Sequence, residues 1–158
     1  MEDKTSPFYI FISHDTSDRP YGELLRDLLN ANFINLEIFF SSVPATGVTP
    51  GEGWFNDLVN RLISSNTIFA LVTEKSINSQ WLHFECGFGV EKRITFPIFY
   101  QKGLITPLTN LQGFYMDEEK IIHMLDVLKN KGAISIDSKW IGIDDFLEKS
   151  KNPQIKIL

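Results

Sequence analysis

Phe8-Tyr9-Ile10-Phe11-Ile12-Ser13-His14-Asp15 is the stretch that decides the fold. Its run of aromatic and β-branched residues predicts a buried strand, closed by the turn-prone Ser13-His14-Asp15. Downstream, Tyr21, Leu24, Leu25, Leu28 and Leu29 recur with the period of an amphipathic helix, which is expected over Tyr21 to Phe33. Leu36 to Phe40 reads as a second strand. Two strands joined by a helix are the unit from which parallel sheets are built, and the first strand is expected at the centre.

The alternation continues outward. Ser41 to Gly51 carries Pro44, Gly47, Pro50 and Gly51 and cannot be regular structure. It exceeds the about 2 to 6 residues that usually join elements in α/β units, which marks it as a functional loop. Trp54 to Ser64 follows as a helix and Thr67 to Thr73 as a third strand. A helix capped by Asn78 or Ser79 is expected to run to about Arg93. Phe96 to Tyr100 is the fourth strand, in which Pro97 predicts an edge or a strand start. Leu111 to Met116 gives a short fifth strand, and Glu118 to Asn130 a helix stopped by Lys131-Gly132.

This succession predicts one domain over residues 1–132. Residues 133–158 form a C-terminal extension in which Trp140 and Ile143 to Leu147 indicate a short helix and a tail. The fold class is α/β, a mostly parallel five-stranded sheet with helices on both faces. Ligands of such sheets bind beyond the carboxyl ends of the strands, where Ser13, His14 and Ser41 lie.

Composition excludes several functions. The net charge is −5 and no basic run exceeds a pair such as Lys92-Arg93, so nucleic acid is not an expected direct partner. The longest apolar runs fall far short of the roughly 20 residues of a membrane span, and the N-terminal residues lack the basic-then-apolar order of a signal peptide. A cytoplasmic location is expected. Cys86 is the only cysteine and is read as a buried small side chain without chemistry. His14, His83 and His123 share no metal-ligand spacing, so no metal is expected. Gly51/Gly53 and Gly87/Gly89 do not form a phosphate-binding fingerprint.

One pairing does suggest chemistry. Trp81 and Glu85 are four residues apart, which on a helix sets an indole beside a carboxylate. Alone, this spacing is common in helices that merely pack a tryptophan beside a solvated acid. Here it comes after Phe11-Ile12-Ser13-His14-Asp15, the Pro- and Gly-bearing loop, and Gly51-Glu52-Gly53-Trp54-Phe55, in that order. The succession, over roughly residues 7–130, resembles a TIR (Toll/interleukin-1 receptor) domain, with the loop 41–51 similar to that family's BB loop.

The resemblance implies a flavodoxin-like three-layer fold. It also implies NAD+ glycohydrolase activity of the bacterial type, with Glu85 as the essential carboxylate of the Trp-x-x-x-Glu motif. Trp54 and Trp81 would flank the nucleotide, and Ser13, His14 and Ser41 would lie near its ribose and phosphates. NAD+ is then the substrate, and no separate cofactor is needed. Further implications are self-association through loop 41–51, activation by assembly, a sensor domain in cis or trans, and a role in bacterial antiphage defence. The nicotinamide of NAD+ leaves as a neutral molecule, so one carboxylate can serve where glycosidases use two. The alternative is a non-catalytic TIR–TIR signalling adaptor, in which Glu85 is a surface acid. A phosphoacceptor receiver domain is disfavoured, because the third strand ends in Thr73-Glu74-Lys75 without an aspartate.

Overall fold

The computed structural model describes residues 6–40, 53–88, 94–100, 114–115 and 117–152. Strands β1 (Phe8–Ser13), β2 (Leu36–Phe40), β3 (Thr67–Val72), β4 (Ile94–Phe99) and the two-residue β5 (Phe114–Tyr115) form one sheet. The order is β2-β1-β3-β4-β5 and every pairing is parallel, with Ile10 opposite Ile38 on one side and Thr67 on the other. The helices are α1 (Arg19–Asn32), α2 (Trp54–Ser64), α3 (Gln80–Gly87), α4 (Glu118–Asn130) and α5 (Ile143–Ser150).

Alternation along the strands divides the interior into two layers. Ile10 and Ile12 of β1 with Phe69 and Leu71 of β3 face one way, against Leu25 and Leu29 of α1, Leu125 and Leu128 of α4 and Phe146 of α5. Phe11 and Ile68 face the other way, against Leu58 and Leu62 of α2, while Ala70 and Val72 meet Leu82 and Cys86 of α3. The sheet is thus sandwiched, with α1, α4 and α5 on one face and α2 and α3 on the other.

Several local outcomes differ from the expectations, each for a physical reason. Helix α1 starts earlier, at Arg19, because Asp15 accepts the Ser17 N–H (3.0 Å) and caps a 3₁₀ turn over Thr16–Asp18 that leads into it. Pro20 then occupies the first turn, where no N–H is required. Thr73 leaves β3, since its N–H goes to Ser76 Oγ (2.8 Å) rather than to a neighbouring strand. Helix α3 is capped by Ser79, one of the two expected caps, and spans Gln80–Gly87; the expected continuation over 89–93 lies outside the described residues.

Strand β4 is interior rather than an edge. Pro97 stands opposite Ala70 of β3, yet the register with β5 begins only at Ile98, so among the described residues its other side pairs with nothing. Of the expected fifth strand, Phe114–Tyr115 is present and residues 111–113 and 116 lie outside the described residues.

Helix α4 ends at Asn130 with Lys131 as its cap, and Gly132 takes a left-handed φ of +119° that turns the chain back. The residues beyond it form a short helix and share the main core, to which Ala133, Ile143 and Phe146 contribute. Asn32 ties them to α1: its Nδ2 donates to Leu28 O (2.8 Å) and Ile141 O (3.0 Å), and its Oδ1 accepts the Ile141 N–H (2.9 Å). Trp140 packs on Phe33, with ring centres 5.4 Å apart, and donates its indole N–H to Asp126 (2.9 Å). At the β2 edge of the sheet, Phe39 lies beneath the Arg61 guanidinium (4.5 Å) and Phe40 beneath Arg19 and Arg26 (5.8 and 5.6 Å).

Candidate active site

Strand alternation decides which of the candidate residues can meet. Ser13, in phase with Phe11, points toward α2 and α3, and its hydroxyl lies against the Cys86 thiol. His14 is out of phase and turns toward the α1 face. There its Nδ1 lies 3.2 Å from Ile12 O and its ring stands edge-on to Phe40 at 5.6 Å. Ser13 is therefore beside the helix that bears Glu85, and His14 is across the sheet from it.

Helix α3 supplies the carboxylate. Ser79 accepts the Leu82 N–H (3.2 Å), opening the helix so that Trp81, Glu85 and Phe88 follow at turn spacing. Glu85 is fully buried, where an acid is seldom found without a specific reason. Trp81 meets Trp54 of α2 with ring centres 5.9 Å apart, and its indole N–H is buried without a hydrogen-bond partner among the described residues. Burial, and then the adjoining Glu85 charge, push the Cys86 thiol up to about 12, while the Ser13 hydroxyl opposes them. The thiol is thus inert at neutral pH.

Ser13, Trp54, Trp81 and Glu85 consequently gather on the α2/α3 side of β1. Ser41 and the loop 41–51 lie outside the described residues. Among the described residues no group of three His, Cys, Asp or Glu side chains could hold a metal ion. A cleft of about 530 Å³ between α4 and α5, lined by Glu118, Trp140, Asp144 and Asp145 among others, shares no residue with the gathering.

Sequence reasoning missed the extent of the aromatic surface. Phe55 stands 5.8 Å from Trp54 and 5.9 Å from Phe84, and Phe84 stacks on Trp81 at 5.4 Å. Phe55 and Phe84 remain 41% and 39% exposed, so the surface continues from the half-buried tryptophans out to solvent. The i, i+3, i+7 spacing of Trp81, Phe84 and Phe88 was the available signal.

Such a sandwich, with a parallel sheet in the order β2-β1-β3-β4-β5, defines a doubly wound α/β domain of flavodoxin-like type. Within that class it is the TIR fold. The structure is similar to the TIR domain of the Toll-related receptor TRR-2 from the lower metazoan Hydra magnipapillata, with a TM-score of 0.55 and 14% identity. The match covers 77% of this chain and 96% of that one. No family profile and no curated protein sequence matches the chain. No helix among the described residues is long and apolar enough to cross a membrane.

Proposed function

We propose that this TIR-fold chain is an NAD+ glycohydrolase with Glu85 as its catalytic carboxylate. The observation that carries the reading is a fully buried Glu85 one helical turn from Trp81, which itself packs on Trp54. In this reading the tryptophans hold the flat, partly cationic dinucleotide, and Ser13 lines the same side. As the nicotinamide–ribose bond breaks, nicotinamide departs neutral and takes the bonding pair. The Glu85 carboxylate stabilises the resulting oxocarbenium character on the ribose. Attack by water gives ADP-ribose; attack by an adenine nitrogen of the same molecule gives a cyclic ADP-ribose.

NAD+ is the substrate and no other cofactor is invoked. His14, which faces α1, and Ser41 take part through the ribose and phosphates only where loop 41–51 brings the nucleotide across the strand ends. A buried Glu85 suits an enzyme that is closed as a single chain and opened by assembly, with loop 41–51 making contacts between copies. A cytoplasmic effector of bacterial antiphage defence, driven by a sensor in cis or trans, fits that behaviour.

The second reading is a non-catalytic TIR–TIR adaptor. Exposed Phe55 and Phe84 favour it, being an apolar surface suited to a protein partner. One experiment separates the two. Concentrated protein, with and without a crowding agent, is given NAD+ and nicotinamide release is followed beside Glu85→Ala. Release lost in the variant is the expected result. Release that persists moves catalysis elsewhere, and no release from demonstrable assemblies leaves the adaptor.

A further inference from the structure

A second buried polar cluster lies at the carboxyl edge of the sheet, and the chemistry proposed above does not use it. Asp18, Thr73 and Ser76 are 2%, 3% and 0% exposed. Thr73 Oγ1 donates to Asp18 Oδ2 (2.7 Å) and accepts the N–H groups of Lys75 (3.2 Å) and Ser76 (3.3 Å). Ser76 Oγ accepts the Thr73 N–H (2.8 Å) and donates to Leu71 O (3.1 Å). The Ile77 N–H then reaches Thr73 O (3.0 Å) and the Ser79 N–H reaches Ser76 O (2.8 Å). Ser79 is the cap from which α3 starts. An unbroken series of hydrogen bonds therefore runs from the residue before α1, across the end of β3, to the first turn of the helix that carries Trp81 and Glu85.

The geometry points to Asp18 and Thr73 as positioning residues for Glu85: their hydrogen bond sets the angle at which the turn over 73–79 launches α3. The inference rests on the reading of Glu85 as the catalytic carboxylate. Neither residue acts on substrate; each acts through the direction of α3. Burial raises the Asp18 carboxyl above its ordinary value although the Thr73 and Ser76 hydroxyls pull the other way.

The test uses Thr73→Val, which keeps the shape and removes the hydroxyl, with Thr73→Ser as the conservative variant. Two readouts are taken: steady-state NAD+ cleavage, and the indole N–H resonances of Trp81 and Trp140. Thr73→Val is expected to lower kcat on the order of 10²-fold, the effect of displacing a catalytic group by about 1 Å, with KM within about twofold. It shifts the Trp81 resonance and leaves that of Trp140, which packs on Phe33 on the opposite face. Thr73→Ser restores both. A Thr73→Val protein with unchanged kcat and Trp81 resonance overturns the inference, and so does one whose Trp140 resonance moves as far as that of Trp81, since that is general loosening. Should Thr73→Val not fold, Ser76→Ala is judged by the same readouts. If the parent protein cleaves no NAD+, the reading of Glu85 fails, and the indole resonances alone decide whether the bond directs α3.

Discussion

The residues around β1 show how one strand serves two environments. Ser13 and His14 are neighbours in sequence, yet the first lies against Cys86 and the second against Phe40. Burial lowers the His14 pKa from its ordinary 6.5, with the Arg19 charge acting in the same direction and the Ile12 carbonyl contact against it. The folded protein therefore binds fewer protons here than the unfolded chain, and stability falls as pH drops below about 6.5 toward the depressed value. His14→Gln is expected to flatten that part of a urea-unfolding profile against pH. Asp18 has the opposite sign: its raised pKa makes the native state hold the proton longer, so its contribution declines as pH rises above 3.8. At Cys86, alkylation by iodoacetamide at pH 8 should be far slower in the folded protein than in urea, and equal rates would contradict its burial.

The placement of Trp81 and Glu85 on one helix and the burial of Cys86 were legible from helix spacing and composition. The Asp18–Thr73 bond was not, because it joins residues 55 apart in sequence that only the sheet brings together.

Among the elements, α3 spans eight residues, and its start and its end were not equally legible. Ser79 was visible as a cap because a hydroxyl before a helix answers a local need for acceptors. The turn at Phe88 that closes the span was not visible, since an aromatic residue at helical spacing from Trp81 and Phe84 does not mark a stop. Ser79→Ala is expected to cost about 1 kcal/mol, with amide-exchange protection lost first within Gln80–Gly87. Protection lost evenly throughout the protein would argue against a local cap. Pro97 shows the same limit: a ring lacking an N–H predicts an edge or a strand start, but it sits inside the sheet, where among the described residues the register with β5 reaches only Ile98.

Across the whole molecule, the parallel alternation and both helical layers followed from hydrophobic period alone. The depth to which residues 133–150 enter the core did not, because Asn32 and Ile141 are 109 positions apart and neither looks special in sequence. Asn32→Ala is expected to lower unfolding free energy by about 2–3 kcal/mol, as it removes the three hydrogen bonds through which the Asn32 amide ties Ile141 to the end of α1. Ending the chain at Gly132 would strip Ile143 and Phe146 from the core, at about 1.5–3 kcal/mol each, and uncover Leu25, Leu28 and Phe33. Urea unfolding and dye binding would register that as a sharply lowered midpoint and an exposed apolar face.

The guanidinium groups over Phe39 and Phe40 act on behaviour in concentrated solution. An open strand border with naked aromatic rings is a template on which further chains can stack. At β2 each ring wears a cation, so an incoming chain would have to strip charge and hydration before pairing. The border thus works as a colloidal stabiliser: neutralising Arg61 together with Arg26 should leave the monomer folded while turbidity and fibre-dye fluorescence rise on standing.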